Sequence, residues 1–291
     1  MISASMVKEL RELTGAGMLD CKKALDETNG NMDDAITWLR EKGISKAAKK
    51  ATRIAAEGLA LAKVKDNKAV IVEINSETDF VAKNEEFKNL IEIVADTILN
   101  SNAKTNEEVL ELKYESTSLN DLIIEKVAKI GEKLSFRRFS LVEKKDDEVF
   151  GTYSHMGGKI VALTILKGSD EEVAKDIAMQ VAAMRPLYLN RDEVPEEVVE
   201  KERNIITEQV QNQNLDSNKI PMIVNGKLNK QFYEEVCLMD QAFIKENKLK
   251  ISKYVEDKKS EVISFVRYEV GEGMEKKEEN FAEEVAKQMG N

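Results

Sequence analysis

The apolar positions of the chain follow two periods, one typical of strands and one typical of helices. The hydrophobic segment Ala69–Ile74 predicts a strand, and apolar residues spaced by three and four from about Asn84 to Ile98 predict a helix after it. The same pair recurs as a strand at Ile160–Leu166 and a helix from Asp170 to Met184. The charged and apolar positions of the two helices align in register. The pattern therefore indicates an internal duplication.

The two copies differ in the connection between strand and helix. The second copy uses three residues, Lys167-Gly168-Ser169, whereas the first uses nine, Asn75 to Lys83. The longer connection contains Asp79 and Phe80 side by side, an acid and a large apolar ring that a turn does not need. We therefore predict that this loop has a function that the fold does not require.

Each copy also ends in a matching return strand. Ser135–Glu143 aligns with Ser264–Glu272, so each copy is predicted as two strands, a helix, a later helix and a return strand. This order predicts an α+β fold with two related lobes, at 54–143 and 144–273, each a small antiparallel sheet covered by helices.

The first part of the chain is predicted to form a module of three short helices over residues 5–42. Ser5 and Asn31 are the expected N-caps of the first and third helices, because their side chains accept hydrogen bonds from backbone amides. The basic stretch from Arg40 to Arg53 is interpreted as a solvated linker helix, with a phosphate-binding patch as the less favoured alternative. We assign residues 1–53 to this module and its linker. A helical cap on the rest and a protein-docking module are equally consistent with the sequence.

The second copy contains an insertion, at about 187–240, that has no counterpart in the first. Pro195 is expected to start one helix, the polar stretch Asn212–Asn218 to end it, and Ile220–Phe232 to form a second. Two helices joined by a short polar loop predict an antiparallel coiled-coil hairpin. An interaction arm is favoured over a flap packed on the lobes. Residues 274–291 are predicted to form a separate amphipathic C-terminal helix.

Composition excludes several classes of protein. The net charge of −10 over 291 residues argues against direct binding of nucleic acid, and no apolar run is long enough for a membrane span. The N-terminal residues lack the basic and apolar regions of a signal peptide. The two cysteines, Cys21 and Cys237, lie in helical patterns and are expected to be buried thiols. These features favour a cytoplasmic location.

A search for catalytic residues finds few candidates. His155 is the only histidine, so a histidine cluster for a metal ion is excluded. Gly157-Gly158-Lys159 lacks the spacing of a phosphate-binding loop, and the spacing pairs no second acid with Asp79. His155 is expected at the tip of a hairpin, where a partner-facing or solvent-facing role is favoured over general-base catalysis. The sequence therefore predicts no enzyme, no resident metal ion and no cofactor.

Four segments of the chain resemble, in order, the motifs of the bacterial translation elongation factor Ts family. They are Val7–Leu25, Thr78–Asn84, His155–Lys159 and Phe265–Gly273. The resemblance implies a guanine nucleotide exchange factor for the GTPase elongation factor Tu, which would be bound both with GDP and without nucleotide. It also implies a ubiquitin-associated-like N-terminal domain, a two-lobed core, a coiled-coil hairpin and a C-terminal module.

The resemblance also implies roles for individual residues. One set matches the motif that dislodges Mg²⁺ from the GTPase: Thr78, Asp79, Phe80 and Val81. A second set matches the docking surface of the N-terminal module, with Leu19 where many members have methionine: Arg11, Met18, Leu19 and Lys22. A third set matches a surface that meets the partner away from its nucleotide: His155, Met156, Gly157 and Gly158. A homodimer, or a heterotetramer with the partner, stays open.

Two other classes of function remain as alternatives. One is a protein-binding scaffold that uses the helical module and the hairpin without driving exchange. The other is an enzyme that uses His155 or Cys21. Retention of GDP on the GTPase would favour the scaffold, and turnover of a small molecule would favour the enzyme.

Overall fold

The computed structural model describes residues 2–14, 16–212 and 217–275. It is a mixed helical and sheet structure with antiparallel sheets, which confirms the predicted α+β class. From residue 276 onward, the predicted C-terminal helix lies outside the described residues. No helix among the described residues is long and apolar enough to cross a membrane.

The chain divides into two compact units. The first combines residues up to 61, residues 72–141 and the described residues from 269 onward, and the second combines residues 62–71 with 142–268. The first unit therefore contains both the N-terminal module and most of the first predicted lobe. The predicted boundaries at 53/54 and 143/144 stay predictions.

The N-terminal module has three helices, α1 (Ala4–Thr14), α2 (Met18–Glu27) and α3 (Met32–Lys50). Asn31 caps α3 as predicted, because its side chain accepts hydrogen bonds from the amides of Asp33 and Asp34. Ser5 is not the cap of α1: the amide of Met6 donates to the hydroxyl of Ser3, at 3.3 Å. A small core joins the helices. Its fully buried members are Leu10, Cys21, Ala24, Leu25 and Ala35.

The predicted linker helix is not separate from the third helix. Helix α3 continues to Lys50, so both predictions describe one helix. Gly43 lies within this helix and is buried. A Cβ added at Gly43 would lie 3.4 Å from the Cβ of Ala128. Glycine has a low helix propensity, but its lack of a side chain lets α3 pack closely against the helix that contains Ala128. This packing outweighs the low propensity.

The first lobe follows in the order β1 (Glu57–Lys65), β2 (Lys68–Ser76), α4 (Asp79–Ala82), α5 (Glu85–Leu99), α6 (Asn106–Glu111), β3 (Lys113–Tyr114), β4 (Thr117–Ser118), α7 (Leu119–Ile130) and β5 (Leu134–Glu143). Its three-stranded sheet has the order β1-β2-β5, and the division between the units runs through these strands. Helix α5 buries one face at the predicted spacing. The fully buried residues of that face include Phe87, Leu90, Val94 and Ile98.

The second lobe repeats this order of strands. Its elements are β6 (Glu148–His155), β7 (Ile160–Lys167), α8 (Glu171–Met184), β8 (Ala242–Phe243), β9 (Glu246–Lys250), α12 (Ile251–Asp257) and β10 (Glu261–Glu269). The sheet has the order β6-β7-β10, so the return strand again pairs with the second strand of the hairpin. In both lobes a short two-stranded ladder and a helix precede the return strand. The topology agrees with an internal duplication.

The insertion forms a helical hairpin with a small core of its own. Helix α9 (Glu196–Gln211) packs on α10 (Ile220–Lys227), which continues as a π-helix at Leu228–Tyr233 and ends in α11 (Glu234–Val236). Pro195 is the N-cap of α9 rather than its first residue. The π-helix was not predicted. The buried residues of the hairpin are Ile206, Val210, Val224 and Leu228.

Both cysteines are buried, as predicted. Burial raises the pKa of the Cys21 thiol. Burial, reinforced by the nearby Asp240 carboxylate, raises the pKa of Cys237 to about 11. Both thiols are therefore protonated at neutral pH.

Candidate protein-interaction site

The loop that the sequence singles out contains a single helical turn, α4, directly after β2. Thr78 is the N-cap of this turn, and its hydroxyl oxygen accepts a hydrogen bond from the amide of Val81 at 3.4 Å. Val81 and Ala82 are buried, which fixes the inner side of the turn to the lobe. The sequence predicted a loop from Asn75 to Lys83, and the structure places this short helix within it.

The outer side of the turn carries Asp79 and Phe80, which we call the tip. The Phe80 side chain is 80% exposed, whereas the neighbouring Val81 is only 8% exposed. Asp79 forms an ion pair of 2.7 Å with Lys83, and the ammonium group of Lys83 lies 5.9 Å from the centre of the Phe80 ring. Burying a phenylalanine side chain is favourable by roughly 1.5–3 kcal/mol, so the exposed ring is a ready source of binding energy for a partner.

The base of the tip is held by Glu132, which follows the end of α7. One carboxylate oxygen of Glu132 accepts from the amide of Thr78 at 3.0 Å, and the other accepts from the Thr78 hydroxyl at 2.8 Å. Both oxygens of one carboxylate thus bind the residue that precedes the tip. Hydrogen bonds to a charged acceptor are stronger than neutral ones.

A second carboxylate reinforces this attachment in the opposite direction. Glu77 accepts from the amide of Lys133 at 2.6 Å and from the Arg53 guanidinium at 3.2 Å. The ammonium group of Lys133 in turn donates to the carbonyl oxygen of Arg53, at 2.9 Å. The segments 77–78 and 132–133 therefore exchange side-chain-to-backbone hydrogen bonds, and Arg53 adds the end of the N-terminal module.

A second candidate surface lies at the start of α2. Met18 is 59% exposed and Leu19 is 84% exposed, and the charged side chains of Arg11 and Lys22 are exposed as well. Leu13, at the end of α1, is also exposed and extends the apolar part of this surface. Exposed apolar residues rimmed by charges are typical of protein contacts. We call these residues the α2 surface.

The basic stretch after Trp38 is largely engaged with other protein groups. Arg40 pairs with Asp121 at 2.5 Å, Lys46 pairs with Asp20 at 2.8 Å, and Lys50 donates to the carbonyl oxygen of Gly131. These contacts attach α3 to its neighbours, but most of the stretch stays exposed, so the interpretation as a solvated linker stays a prediction. The pairing of these basic residues also disfavours the alternative of a phosphate-binding patch. A cavity of about 250 Å³ remains between the module and α7.

The third candidate surface is the turn between β6 and β7. His155 ends β6 and pairs across the hairpin with Ile160, so it occupies the predicted tip. Its ring is exposed and stacks on Tyr153, with the ring centroids 6.2 Å apart. Three consecutive residues of this turn have positive φ angles. They are Met156, Gly157 and Gly158.

Met156 is 71% exposed although its backbone has a φ of +50°. A left-handed conformation is costly for a residue with a side chain, and it persists only where the surrounding structure enforces it. The amides of Gly158 and Lys159 both donate to the carbonyl oxygen of His155, at 3.2 Å, and close the turn. The turn therefore presents His155 and Met156 to solvent in a fixed conformation. Gly158 differs from them because it is buried.

A buried ionic network lies next to the loop in the first unit. Glu73 of β2 is fully buried and is contacted by Arg137 at 2.8 Å and by Arg138 at 2.6 Å. Burial alone raises the pKa of Glu73, but hydrogen bonds from the amide of Gly271 and from both arginines outweigh that effect and hold the pKa below its usual value. The carboxylate is therefore ionised at neutral pH and serves the fold.

Local sequence patterns do not indicate the carboxylates that hold this part of the first unit. Glu132 and Thr78 are 54 residues apart, and Glu73 and Gly271 are 198 residues apart. Neither pair belongs to a local motif. Only the duplication contained a usable signal, since it shows that β5 returns beside β2 and carries Glu132 toward the loop.

The family model described as Elongation factor TS matches residues 77–272. The matched region begins one residue before Thr78 and includes the tip, the His155 turn, the helical hairpin and both return strands. The α2 surface precedes the match.

Proposed function

Because the chain belongs to the elongation factor Ts family, whose members are nucleotide exchange factors for elongation factor Tu in translation, we propose that it releases GDP from that GTPase by placing its tip beside the bound nucleotide. The target of the tip would be the Mg²⁺ ion of the partner and the protein groups that hold it. Thr78 and Val81 would support the tip, and Asp79 and Phe80 would enter the partner.

The observation that carries this proposal is the exposure of Phe80 on a fixed base. An isolated exposed phenylalanine on a flexible loop would have to be ordered when it binds, and ordering costs free energy. Here the turn is already capped by Thr78, and its inner side is already packed through Val81. The tip is therefore suited to enter a partner as a preformed wedge.

The physical basis of the activity is thermodynamic linkage. Mg²⁺ bridges phosphate oxygens of a bound nucleotide, so displacement of the metal weakens the grip of the GTPase on GDP. A protein that binds better to the metal-free and nucleotide-free GTPase must lower the affinity for both, because coupling between ligands is reciprocal. A coupling free energy of about 1.4 kcal/mol changes the affinity for GDP tenfold. No nucleophile and no proton transfer are required.

The α2 surface and the His155 turn are proposed as docking sites away from the nucleotide. Both present side chains that are exposed in the free chain, Met18 and Leu19 at one and His155 and Met156 at the other. Docking through such sites would supply binding energy that the tip uses to displace the metal. This division predicts that docking residues control affinity and that tip residues control the rate of release.

The deciding experiment measures the release of a fluorescent GDP analogue from elongation factor Tu with increasing amounts of the chain. We expect release to accelerate and to saturate with the concentration of the chain. The acceleration should be much smaller when Mg²⁺ has been removed by a chelator, because the metal contribution is then already lost. Binding of the chain without faster release would overturn the proposal in favour of the scaffold.

A further inference from the structure

Glu132 lies at the base of the tip and is half-buried, whereas Phe80 of the tip is exposed. From this position it can control the conformation of the tip. It follows Gly131, which ends α7 with a φ of +90°, and this left-handed C-cap turns the chain toward the loop. The Glu132 carboxylate then binds the amide and the hydroxyl of Thr78. We call this contact between Glu132 and Thr78 the clamp. Thr78 directly precedes Asp79, so no flexible segment separates the clamp from the tip.

The hydroxyl of Thr78 has two roles that depend on each other. It donates to Glu132 at 2.8 Å and accepts from the amide of Val81 at 3.4 Å. A hydroxyl has one hydrogen, so donation to Glu132 directs its lone pairs toward other donors. Glu132 therefore orients the group that caps α4.

Helix α4 depends on this cap more than a longer helix would. It has only four residues, and one helical turn is unstable on its own because nucleation is unfavourable. The turn is stabilised by the burial of Val81 and Ala82 on one side and by the clamp on the other. Loss of the clamp would free the outer side, where Asp79 and Phe80 lie.

We infer that Glu132 is a positioning residue for nucleotide exchange, which acts through Thr78 to hold the tip in its binding conformation. The inference rests on the proposed function, because it concerns the same tip. Glu132 lowers the cost of ordering the tip at the moment of insertion. Glu77 supports it through Lys133, the residue next to Glu132.

The test uses Glu132→Gln in the full chain. Glutamine keeps the shape but offers one acceptor oxygen and one donor amide, so its amide group would face a donor of Thr78. We expect the maximal rate of GDP release to fall by about tenfold to a hundredfold, the loss expected from one hydrogen bond to a charged group. The concentration of elongation factor Tu·GDP at half-maximal rate should stay within twofold or so, because the docking surfaces are untouched. Glu111→Gln, at an exposed position in α6, is the matched control.

A second measurement does not depend on exchange. Amide hydrogen exchange of the free chain should become faster for residues 78–82 in Glu132→Gln and stay unchanged in Glu111→Gln. Thr78→Val, which removes the hydroxyl, should also slow GDP release, and the double variant should lose less than the sum of the two single losses. If Glu132→Gln folds poorly, Thr78→Val tests the same contact from its other side.

The outcomes separate the inference from the proposed function. If the unmodified chain fails to accelerate GDP release, the proposed function is overturned, whatever the hydrogen exchange shows. If the chain accelerates release but Glu132→Gln leaves both the maximal rate and the protection of 78–82 unchanged, the role of Glu132 is overturned. Additive losses in the double variant would overturn it too, since Glu132 would then not act through Thr78.

Discussion

The carboxylate of Glu73 accepts a hydrogen bond of 2.9 Å from the backbone amide of Gly271. The same oxygen accepts from Arg137, and the other accepts from Arg138, so a fully buried charge is compensated by two cations and an amide. This contact ties the segment after β10 to β2 within the first unit. Removing one member of such a network is costly, because the remaining charges stay buried without a partner.

Gly271 should therefore tolerate substitution poorly. Its φ is +73°, and a Cβ at this position would lie 2.2 Å from the carbonyl oxygen of Ala56. Gly273 is a matched control, since its φ is +72° and a Cβ there meets no atom within 4 Å. We expect Gly273→Ala to lower the free energy of unfolding by about 1 kcal/mol, for the left-handed backbone alone.

Gly271→Ala should cost about 1–3 kcal/mol more than the control, because the backbone must move away from Ala56. Urea unfolding of both variants, followed by circular dichroism, measures the difference. Equal losses would mean that the close approach of Gly271 to Ala56 does not constrain the chain.

Phe80→Ala should affect exchange and leave stability unchanged. The ring is exposed, so its loss should change the free energy of unfolding by less than about 0.5 kcal/mol. Release of GDP should slow by about tenfold or more, as for an interface residue that contributes most of its contact energy to a partner. Val64→Ala, at a partly exposed apolar position in β1, is the control. A large fall in melting temperature with normal exchange per folded molecule would show that the ring stabilises the fold instead.

The α2 surface should control affinity rather than the maximal rate. We expect the double variant Met18→Ser, Leu19→Ser to weaken binding to elongation factor Tu by about 1–3 kcal/mol, since both side chains would be buried in the complex. Titration calorimetry measures the affinity, and Leu187→Ser, which also alters an exposed apolar residue, is the control. Substitution is sharper than deletion of residues 1–53, because deletion would also expose α7. Unchanged affinity would exclude these two residues from the docking surface.

Glu86 should make stability depend on pH in the acidic range. Hydrogen bonds from Lys126 and Lys129 lower the pKa of Glu86 from 4.5 to about 2. Because the pKa is lower in the folded chain, the contribution of Glu86 to stability is complete above about pH 4.5 and is lost as the pH falls toward 2. The difference in urea midpoint between the native chain and Glu86→Gln should therefore shrink from pH 6 to pH 3. A difference that stays constant over this range would refute the assignment.

Periodicity predicted the main strands and helices of both lobes, because their buried faces are read directly from apolar spacing. The short elements α4, α6, β3, β4, β8 and β9 were not predicted. The bounds of α5 and α8 agree with the prediction to within a residue or so. The extension of α3 through Gly43 was missed because glycine usually disfavours a helix interior. Here α7 packs against Gly43, and this contact is not visible in the sequence. The cap of α1 was misassigned because both Ser3 and Ser5 are serines near the start of the helix. The structure shows that the hydroxyl of Ser3 accepts the hydrogen bond from the Met6 amide.

The candidate site was predictable only in part. The mismatch in loop length between the two copies singled out Asp79 and Phe80, and the resemblance gave them a role. Glu132 could not be found in this way, because its contact with Thr78 arises from the return of the chain after α7. A single sequence carries no local pattern for a contact between residues that are distant along the chain.

The burial of Cys21 and Cys237 has a practical consequence for experiments on the tip. These are the only two cysteines in the sequence, and both thiols are protonated and shielded from reagents. A thiolate is the species that reacts with maleimide dyes, so the native chain should label slowly. A single cysteine introduced at the exposed Lys83 would then carry a fluorophore on its own, without removal of the native thiols, and would bring an optical reporter within one helical turn of Phe80.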